Sequence, residues 1–407
     1  LPTVKTDSPE LFIMTDPTTV NESFGKLRAI ESELGTLFVE REDVVRAMLL
    51  ALLSREHLAL IGPPGTAKSM LIIELANRVG DSAGNGLRCF VYLLTKFTTP
   101  EELFGPVSIS GLKADDYRRV TTGKLADVEL AFLDETFKAS SAILNYLLRL
   151  MNEREFENGR QTAQAPLISL FGASNELPQE TELEALFDRF LLRMTVGYVS
   201  ESGFTRLQQL IANHRARQAP QTMTHAELVA LQQTVDQVPV PGSIIDTIAQ
   251  LRRDLGAKGI RVSDRRWGKT HGVLRAHALL EGRSAIEEDD LAILKHVLWS
   301  SPDQQAEISK LCARLSNPIN GKATELTDQA ASVYDATMSA HGQSSDTQQK
   351  VVVVAEGIDK LKAIHVGLVQ LQEQAAAKGR GAGKIEKAVA SVQEMREKVG
   401  ALILGAM

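Results

Sequence analysis

The chain of 407 residues has only two cysteines, Cys89 and Cys312, and few aromatics, 5% of the total. Two thiols so far apart exclude a disulfide framework and fit a reducing compartment. No apolar run approaches the ~20 residues that a membrane-spanning helix needs. The best candidate, Ala47 to Ile61, is interrupted by Ser54-Arg55-Glu56-His57. The opening residues lack the charged-then-apolar layout of a secretory leader, so a cytoplasmic protein is expected. Positive charge is not in excess either: 45 Lys and Arg against 51 Asp and Glu give a net charge of −6. That balance lacks the basic footprint of a nucleic-acid coat. Arg118-Arg119, Arg252-Arg253, Arg265-Arg266 and the neighbours Arg215 and Arg217 are scattered without interleaved aromatics, and the eight histidines show no metal-ligand spacing.

What is present is ordinary for a folded chain, 43% hydrophobic and 24% charged residues. The length exceeds what one core fills and predicts two or three domains. The first twenty residues, with Pro2, Pro9 and Pro17, read as an arm, and Phe24 to Leu53 has helical apolar spacing. Short apolar runs at His57 to Ile61, Cys89 to Leu94, Glu129 to Leu133 and Leu167 to Ala173 suit buried strands of a parallel sheet. Helical stretches between them predict an α/β core up to about Tyr198. From Glu201 to Ser300 the periodicity is helical. Beyond Asp303, Val354, Ile358, Leu361, Ile364, Leu368, Leu371 and Ala375, and then Ile385, Val389, Val392, Met395, Val399 and Leu402, are spaced by threes and fours. Turns at Gly342 to Asp346 and Lys378 to Gly383 make this a bundle of two or three antiparallel helices.

The strongest chemical signal is Gly62-Pro63-Pro64-Gly65-Thr66-Ala67-Lys68-Ser69, after one apolar strand and before a helix opening at Met70. Nucleotide phosphates need inward backbone N–H groups, a helix N-terminus and a mobile cation. Lys68 would reach the β- and γ-phosphates, and Ser69 would bind Mg²⁺. Ala67 stands where the general pattern has glycine; a first-turn helical conformation is expected there. The run Val128 to Glu135 puts Asp134 and Glu135 at the carboxyl edge of a sheet, Asp134 toward the metal and Glu135 toward the attacking water. Asn175, ending the run Leu167 to Ser174, either orients that water or merely makes a turn. Arg189 is too far along the chain to fold back easily on its own phosphate; it either reaches a neighbouring subunit or makes an intramolecular salt bridge with Asp188 or a sheet-edge acid. Arg265 and Arg266 open a helix behind a Ser263 or Asp264 cap, and would close a lid over the nucleotide or simply face solvent.

As a set these residues resemble the AAA+ ATPases, and within them the MoxR branch. The likeness is carried by the phosphate loop, Phe97 to Pro106, Phe132-Leu-Asp-Glu135, Ala142 to Asn145, Asn152 to Phe156, Ala173 to Leu177 and Asp188-Arg-Phe190, in that order. Thr95 to Pro106 and Val262 to Trp267 look like forms of the RavA subgroup, although the β-rich insert of that subgroup has no counterpart here. The resemblance covers about the first three hundred residues. It implies a P-loop αβα core with a parallel sheet over 23–198 and an all-α lid over 199–300; the residue pattern adds an arm over 1–22 and a helical bundle over 301–407. The resemblance implies that Lys68 and Ser69 form Walker A, Asp134 and Glu135 Walker B, Asn175 sensor 1, Arg189 a finger acting in trans and Arg265 sensor 2, ahead of Arg266. Met70 and Arg41 would join the nucleotide contacts, with Phe38 to Arg41 just ahead of the first helix flanking the adenine. Phe97 to Lys124 looks like a hairpin inserted into the second core helix. ATP and Mg²⁺ are the implied cofactors. A hexameric ring, a protein client and a von Willebrand factor A domain partner follow as expectations. The activity so implied is ATP hydrolysis coupled to chaperone-like remodelling or maturation. A nucleotide-gated scaffold with little turnover is the alternative, and a DNA motor ranks third.

Overall fold

The computed structural model of the chain describes residues 17–80, 85–178, 180–212, 222–316, 318–343, 347–377 and 383–404. Most of the expected arm, the centres of the two turns expected in the bundle, and Arg215 and Arg217 lie outside the described residues. In chain order the helices are α1 (Pro17–Leu37), α2 (Glu42–Ser54), α3 (Lys68–Ala76), α4 (Pro100–Phe104), α5 (Ile109–Lys113), α6 (Ser141–Glu153), α7 (Thr181–Phe187) and α8 (Glu201–Ala212). They continue as α9 (His225–Gln237), α10 (Gly242–Ala257), α11 (Asp264–Leu280), α12 (Gln305–Ser316), α13 (Pro318–Gln343), α14 (Thr347–Ala377) and α15 (Gly383–Leu404). The chain forms two compact units. One gathers the residues up to Gly242 with Ile260–Ile286 and His296–Gln304; the other gathers Ser243–Gly259, Glu287–Lys295 and the chain from Gln305. The helical stretch 199–300 is therefore shared between them.

The first unit is built on five parallel strands, β1 (Leu58–Ile61), β2 (Cys89–Leu93), β3 (Leu130–Asp134), β4 (Ser169–Ser174) and β5 (Leu192–Thr195), in the spatial order β2-β3-β4-β1-β5. Central β1 and β4 are buried along their whole length, which is why they read as continuous apolar runs. Edge strand β2 is only partly covered. The pairs Ile61↔Ser174 and Leu133↔Gly172 bring the carboxyl ends of β1, β4 and β3 level.

Four strands lie where the sequence predicted them, to within a residue or two. The fifth carries a fully buried Arg193 in its middle and so gives no apolar signal. That guanidinium lies 3.8 Å over the Phe187 ring and donates to Phe190 O (3.0 Å), Phe187 O (2.8 Å) and Trp299 O (2.6 Å).

Three local readings need correction. The helical stretch Phe24 to Leu53 is two helices, broken where Glu40 takes a left-handed φ of 57°. Phe38 to Arg41 consequently lie between α1 and α2 rather than ahead of the first helix. The hairpin expected over 97–124 is reduced to one antiparallel bridge, Val107 to Arg119, which encloses α5 after Gly105 and Pro106 stop α4. A two-stranded hairpin does form further on, Glu155–Asn158 with Gln161–Gln164, from residues too polar to signal a strand. Arg119 N donates to Asn158 Oδ1 at 2.6 Å, so the hairpin braces the earlier excursion.

In the second unit α13, α14 and α15 bury one apolar cluster. Val354, Leu361, Leu368 and Ala375 recur at every seventh position, as do Ile385, Val392 and Val399, which is the repeat of helices packed side by side. Among the described residues no helix is long and apolar enough to cross a membrane.

His57, just ahead of β1, is fully buried and fixes α6 and β4 to that strand. Its Nδ1 accepts from Leu170 N at 2.9 Å and its Nε2 lies 2.9 Å from Met151 O, so the neutral ring carries its proton on Nε2. Burial, and then the charge of Arg154, hold its pKa well below the ordinary histidine range. Above about pH 6.5 the ring is neutral in both folded and unfolded chains and contributes no pH dependence. Below that, the unfolded chain takes up a proton that the fold refuses, and stability falls by about 1.4 kcal/mol per pH unit. Urea unfolding at pH 7.5, 6.5 and 5.5 should therefore show a steeper acid loss for the native chain than for His57→Gln; parallel slopes would remove His57 as the cause.

Candidate functional site

The loop after β1 is shaped by close approach. Gly62 N donates to Ser174 O at 2.9 Å, and a Cβ on Gly62 would sit 1.9 Å from Val196 O, so only glycine passes between β4 and the end of β5. Pro63 and Pro64 stiffen the turn, Gly65 takes φ +77°, and Thr66 Oγ1 closes it on Pro63 O at 3.1 Å. Ala67 does not occupy a helical first turn as expected. It is the left-handed N-cap of α3, at φ 64° and ψ 21°, the conformation for which the general pattern uses glycine. Unpaired N–H groups and the positive end of α3, beginning at Lys68 and followed by Ser69 and Met70, then face the loop.

Lys68 is 7% exposed, and its Nζ donates to Gly62 O (2.6 Å) and Pro63 O (3.1 Å). Burial lowers its pKa, against the attraction of Asp134 and Glu135. Arg41, also buried, binds backbone from three directions: Glu40 O (2.7 Å), Gly197 O (2.6 Å) and, at the limit of a hydrogen bond, Thr66 O (3.5 Å). Its guanidinium thus braces the loop through carbonyls, and burial lowers its pKa. Neighbouring Glu40 accepts from Ser200 N at 2.7 Å, in a space that any side chain on Gly203 would fill.

At the ends of β3 and β4 the expected residues meet. Asp134 Oδ1 accepts from Glu135 N at 3.0 Å, and Glu135 sits at a left-handed φ of 52°. Asn175 Nδ2 donates to Glu135 Oε1 at 3.0 Å. Asn175 does lie in a turn, closed by Ser174 Oγ to Glu176 O at 2.7 Å, and the turn is what aims its amide. Lys138, which the sequence reading passed over, lies 3.3 Å from Glu135 Oε2. Its place three residues after Glu135, within one turn, is the signal that would have found it. The hydroxyl of Ser69 and the carboxylate of Asp134 are hard oxygen donors of the kind Mg²⁺ takes.

A second cluster forms around Asp188. The carboxylate accepts from Ser263 Oγ (2.9 Å) and Arg266 Nη2 (2.9 Å), and Arg265 Nη1 lies 3.6 Å away. Arg266 is 4% exposed and its Nη1 also reaches Leu298 O and Trp299 O, so it is a packing residue; Arg265 stays partly exposed. Arg189 donates to Ala185 O at 2.7 Å, and its buried Nε has no hydrogen-bond partner among the described residues. Burial and the charge of Arg265 lower its pKa. Among the described residues, none of the bonds of Arg189 or Arg265 reaches Lys68, Asp134, Glu135 or Asn175. The predicted residues thus divide into a phosphate-side set and an arginine set.

A domain family described as the MoxR domain in the MoxR-vWA-beta-propeller ternary systems matches residues 25–237, and an AAA lid domain matches residues 243–312. An uncharacterized protein of Methanocaldococcus jannaschii is 35% identical over 93% of this chain and 100% of its own length. Chaperone MoxR1 of Mycobacterium tuberculosis is 26% identical over 54% of this chain and 56% of its own. Among solved structures, a proposed ATPase from Cytophaga hutchinsonii shares the fold, with a TM-score of 0.60 at 18% identity over 74% of this chain and 97% of that one.

Left-handed Ala67 carries a steric cost of ~1–2 kcal/mol, partly offset by the lower backbone entropy of alanine in the unfolded chain. Ala67→Gly should raise stability by about 0.5–1 kcal/mol in denaturant titrations and leave ATP affinity within about threefold. A destabilised variant would mean that the loop is not left-handed at this position.

Proposed function

The chain belongs to the MoxR family of AAA+ ATPases, and from that premise we propose that it is an oligomeric, Mg²⁺-dependent ATP hydrolase. The observation that carries the reading is the separation of its charged residues. Lys68, Asp134, Glu135 and Asn175 converge on one sheet edge, whereas Arg265 pairs with Asp188 elsewhere and Arg189 is held beside it on Ala185 O. One copy holds the phosphate side of a site, and a second copy is the source of the arginines.

In this reading the α3 N-terminus and the loop amides hold the phosphates, and Lys68 leaves the carbonyls of Gly62 and Pro63 for the γ-phosphoryl oxygens. Mg²⁺, held by Ser69 and Asp134, supplies charge neutralisation when bound. Asn175 and Glu135 share a hydrogen bond before substrate arrives; both then turn to the attacking water, Glu135 accepting from it and Asn175 fixing its position. Arg189 enters from the neighbouring copy, where charge develops on the departing phosphoryl group. Such an arginine is worth ~10³–10⁵ in rate. Arg265 lies beside Arg189 and works from the same face, while Arg266 stays in the core.

The family's association with vWA and β-propeller proteins supports a von Willebrand factor A partner, and its chaperone members support remodelling of a protein client. A hexameric ring is the assembly this reading takes. The forms Thr95 to Pro106 and Val262 to Trp267 ally the chain with the RavA subgroup on likeness of motif alone.

The test is ATP hydrolysis against protein concentration. Glu135→Gln and Arg189→Ala should each bind nucleotide yet lose at least a hundredfold in turnover, the order of one catalytic group. Mixing the two should restore activity, because each supplies what the other lacks. Activity independent of concentration and untouched by Arg189→Ala would refute the shared site. Tight binding without wild-type turnover would select the scaffold reading.

A further inference from the structure

Glu135 is followed by a short 3₁₀ turn, Thr136–Lys138, whose three side chains point to different tasks. Thr136 Oγ1 donates to Leu133 O at 2.6 Å and anchors the turn to β3. Lys138 faces the Glu135 carboxylate. Phe137 is buried against two rings, edge-on to Phe187 (centroids 5.4 Å, 87°) and to Phe190 (6.3 Å, 87°). Those two phenylalanines bracket Asp188 and Arg189.

The socket is rigid. Arg193 binds the carbonyls of both Phe187 and Phe190 and lies over the Phe187 ring. Trp299 packs on Phe187 with centroids 6.0 Å apart. Phe190 N closes on Phe187 O at 3.1 Å, so residues 187–190 form one hydrogen-bonded turn. Room for the contact comes from β4: a Cβ on Gly172 would lie 2.6 Å from the Phe190 ring and 2.9 Å from Thr136 Oγ1. Glu135 itself is held left-handed at φ 52°, a conformation that persists only when its surroundings impose it.

We propose that Phe137 is a positioning residue that joins Glu135 of one nucleotide site to Arg189, which the same chain delivers to the next. The inference rests on the roles proposed above for those two residues. A shift of the Glu135 turn moves Phe137, and the braced 187–190 turn moves with it as a unit, because packed rings at contact distance cannot separate without opening a void. Occupancy at one site thereby sets the reach of the arginine at its neighbour.

The mixing assay isolates this link. In Glu135→Gln the chain's own carboxylate is already disabled, so that chain contributes only its arginine to recovered activity. Adding Phe137→Leu to it should cut the recovery with Arg189→Ala partners at least tenfold, with nucleotide affinity unchanged within twofold. Phe190→Leu should do the same, and the two substitutions together should cost no more than either alone. Unchanged recovery, or losses that multiply, would overturn the proposal, since Phe137 would then act on its own site at most. If leucine disrupts folding, as judged by melting temperature, Phe137→Met makes the same comparison.

If Glu135→Gln and Arg189→Ala fail to complement at all, the shared-site reading is the one that falls. The link is then read without turnover, by hydrogen exchange of amides 186–190 with and without ATP. A nucleotide-dependent change that Phe137→Leu abolishes sustains it. The same change in both chains, or none in the wild type, overturns it.

Discussion

The register of three parallel strands is the constraint on which the site depends. Ile61 opposite Ser174, and Gly172 opposite Leu133, leave β1, β4 and β3 ending at one level. The phosphate loop, the acid pair and Asn175 are the next residues on those strands. Nothing in the sequence brings them closer than forty residues apart along the chain; the ladder does so, and a slip of one residue would turn every side chain of a strand to its other face. The fully buried β1 and β4 make such a slip costly. Gly62 and Gly172 belong to the same constraint, because each marks a place where another part of the chain comes too close for a Cβ.

Charge balance explains why the two sets of residues differ in character. On the phosphate side two ammonium groups, Lys68 and the more exposed Lys138, meet two carboxylates, and the hydrogen bonds of Lys68 to carbonyls are ones a phosphate oxygen can replace. Around Asp188 two guanidinia, those of Arg265 and Arg266, share one carboxylate, with Arg189 close by. Arg266 is absorbed by core carbonyls, while Arg189 and Arg265 are left close enough to lower the charge affinity of Arg189. A cluster with surplus positive charge, part of it at the surface, is stabilised by an anion from outside. The family's nucleotide is an anion of that kind.

Much of this was legible from residue order. Apolar runs ending in glycine, Asp-Glu or Asn announced three of the strands and what lies at their ends, since a buried parallel strand has no polar face to disguise it. What was not legible was hidden by polar residues in structural work. Arg193 conceals β5 because its charge is satisfied by three backbone carbonyls, those of Phe187 and Phe190 and that of Trp299, far along the chain. The polar strands of the 155–164 hairpin satisfy each other's backbone and need no apolar face. Arg41, expected beside the adenine, directs its guanidinium at backbone carbonyls, one of them in the phosphate loop, a role its position did not announce. Ala67 was expected to be helical because alanine favours helix; the loop overrides that preference.

Ala67 and Glu135 share a left-handed backbone without being glycine, and they flank the place where phosphate chemistry would occur. Strain of this kind persists where neighbours over-determine the conformation. For Ala67 the neighbours are Lys68 and the closed Pro63–Thr66 turn. For Glu135 they are Thr136 on the strand, Lys138 and Asn175 on its carboxylate, and Phe137 in its aromatic socket. A relaxed Glu135 would need that ring to leave Phe187 and Phe190, so the geometry of its carboxylate is set from the arginine side of the molecule. A single packed ring thus connects the Glu135 turn to the turn that carries Arg189 within one chain.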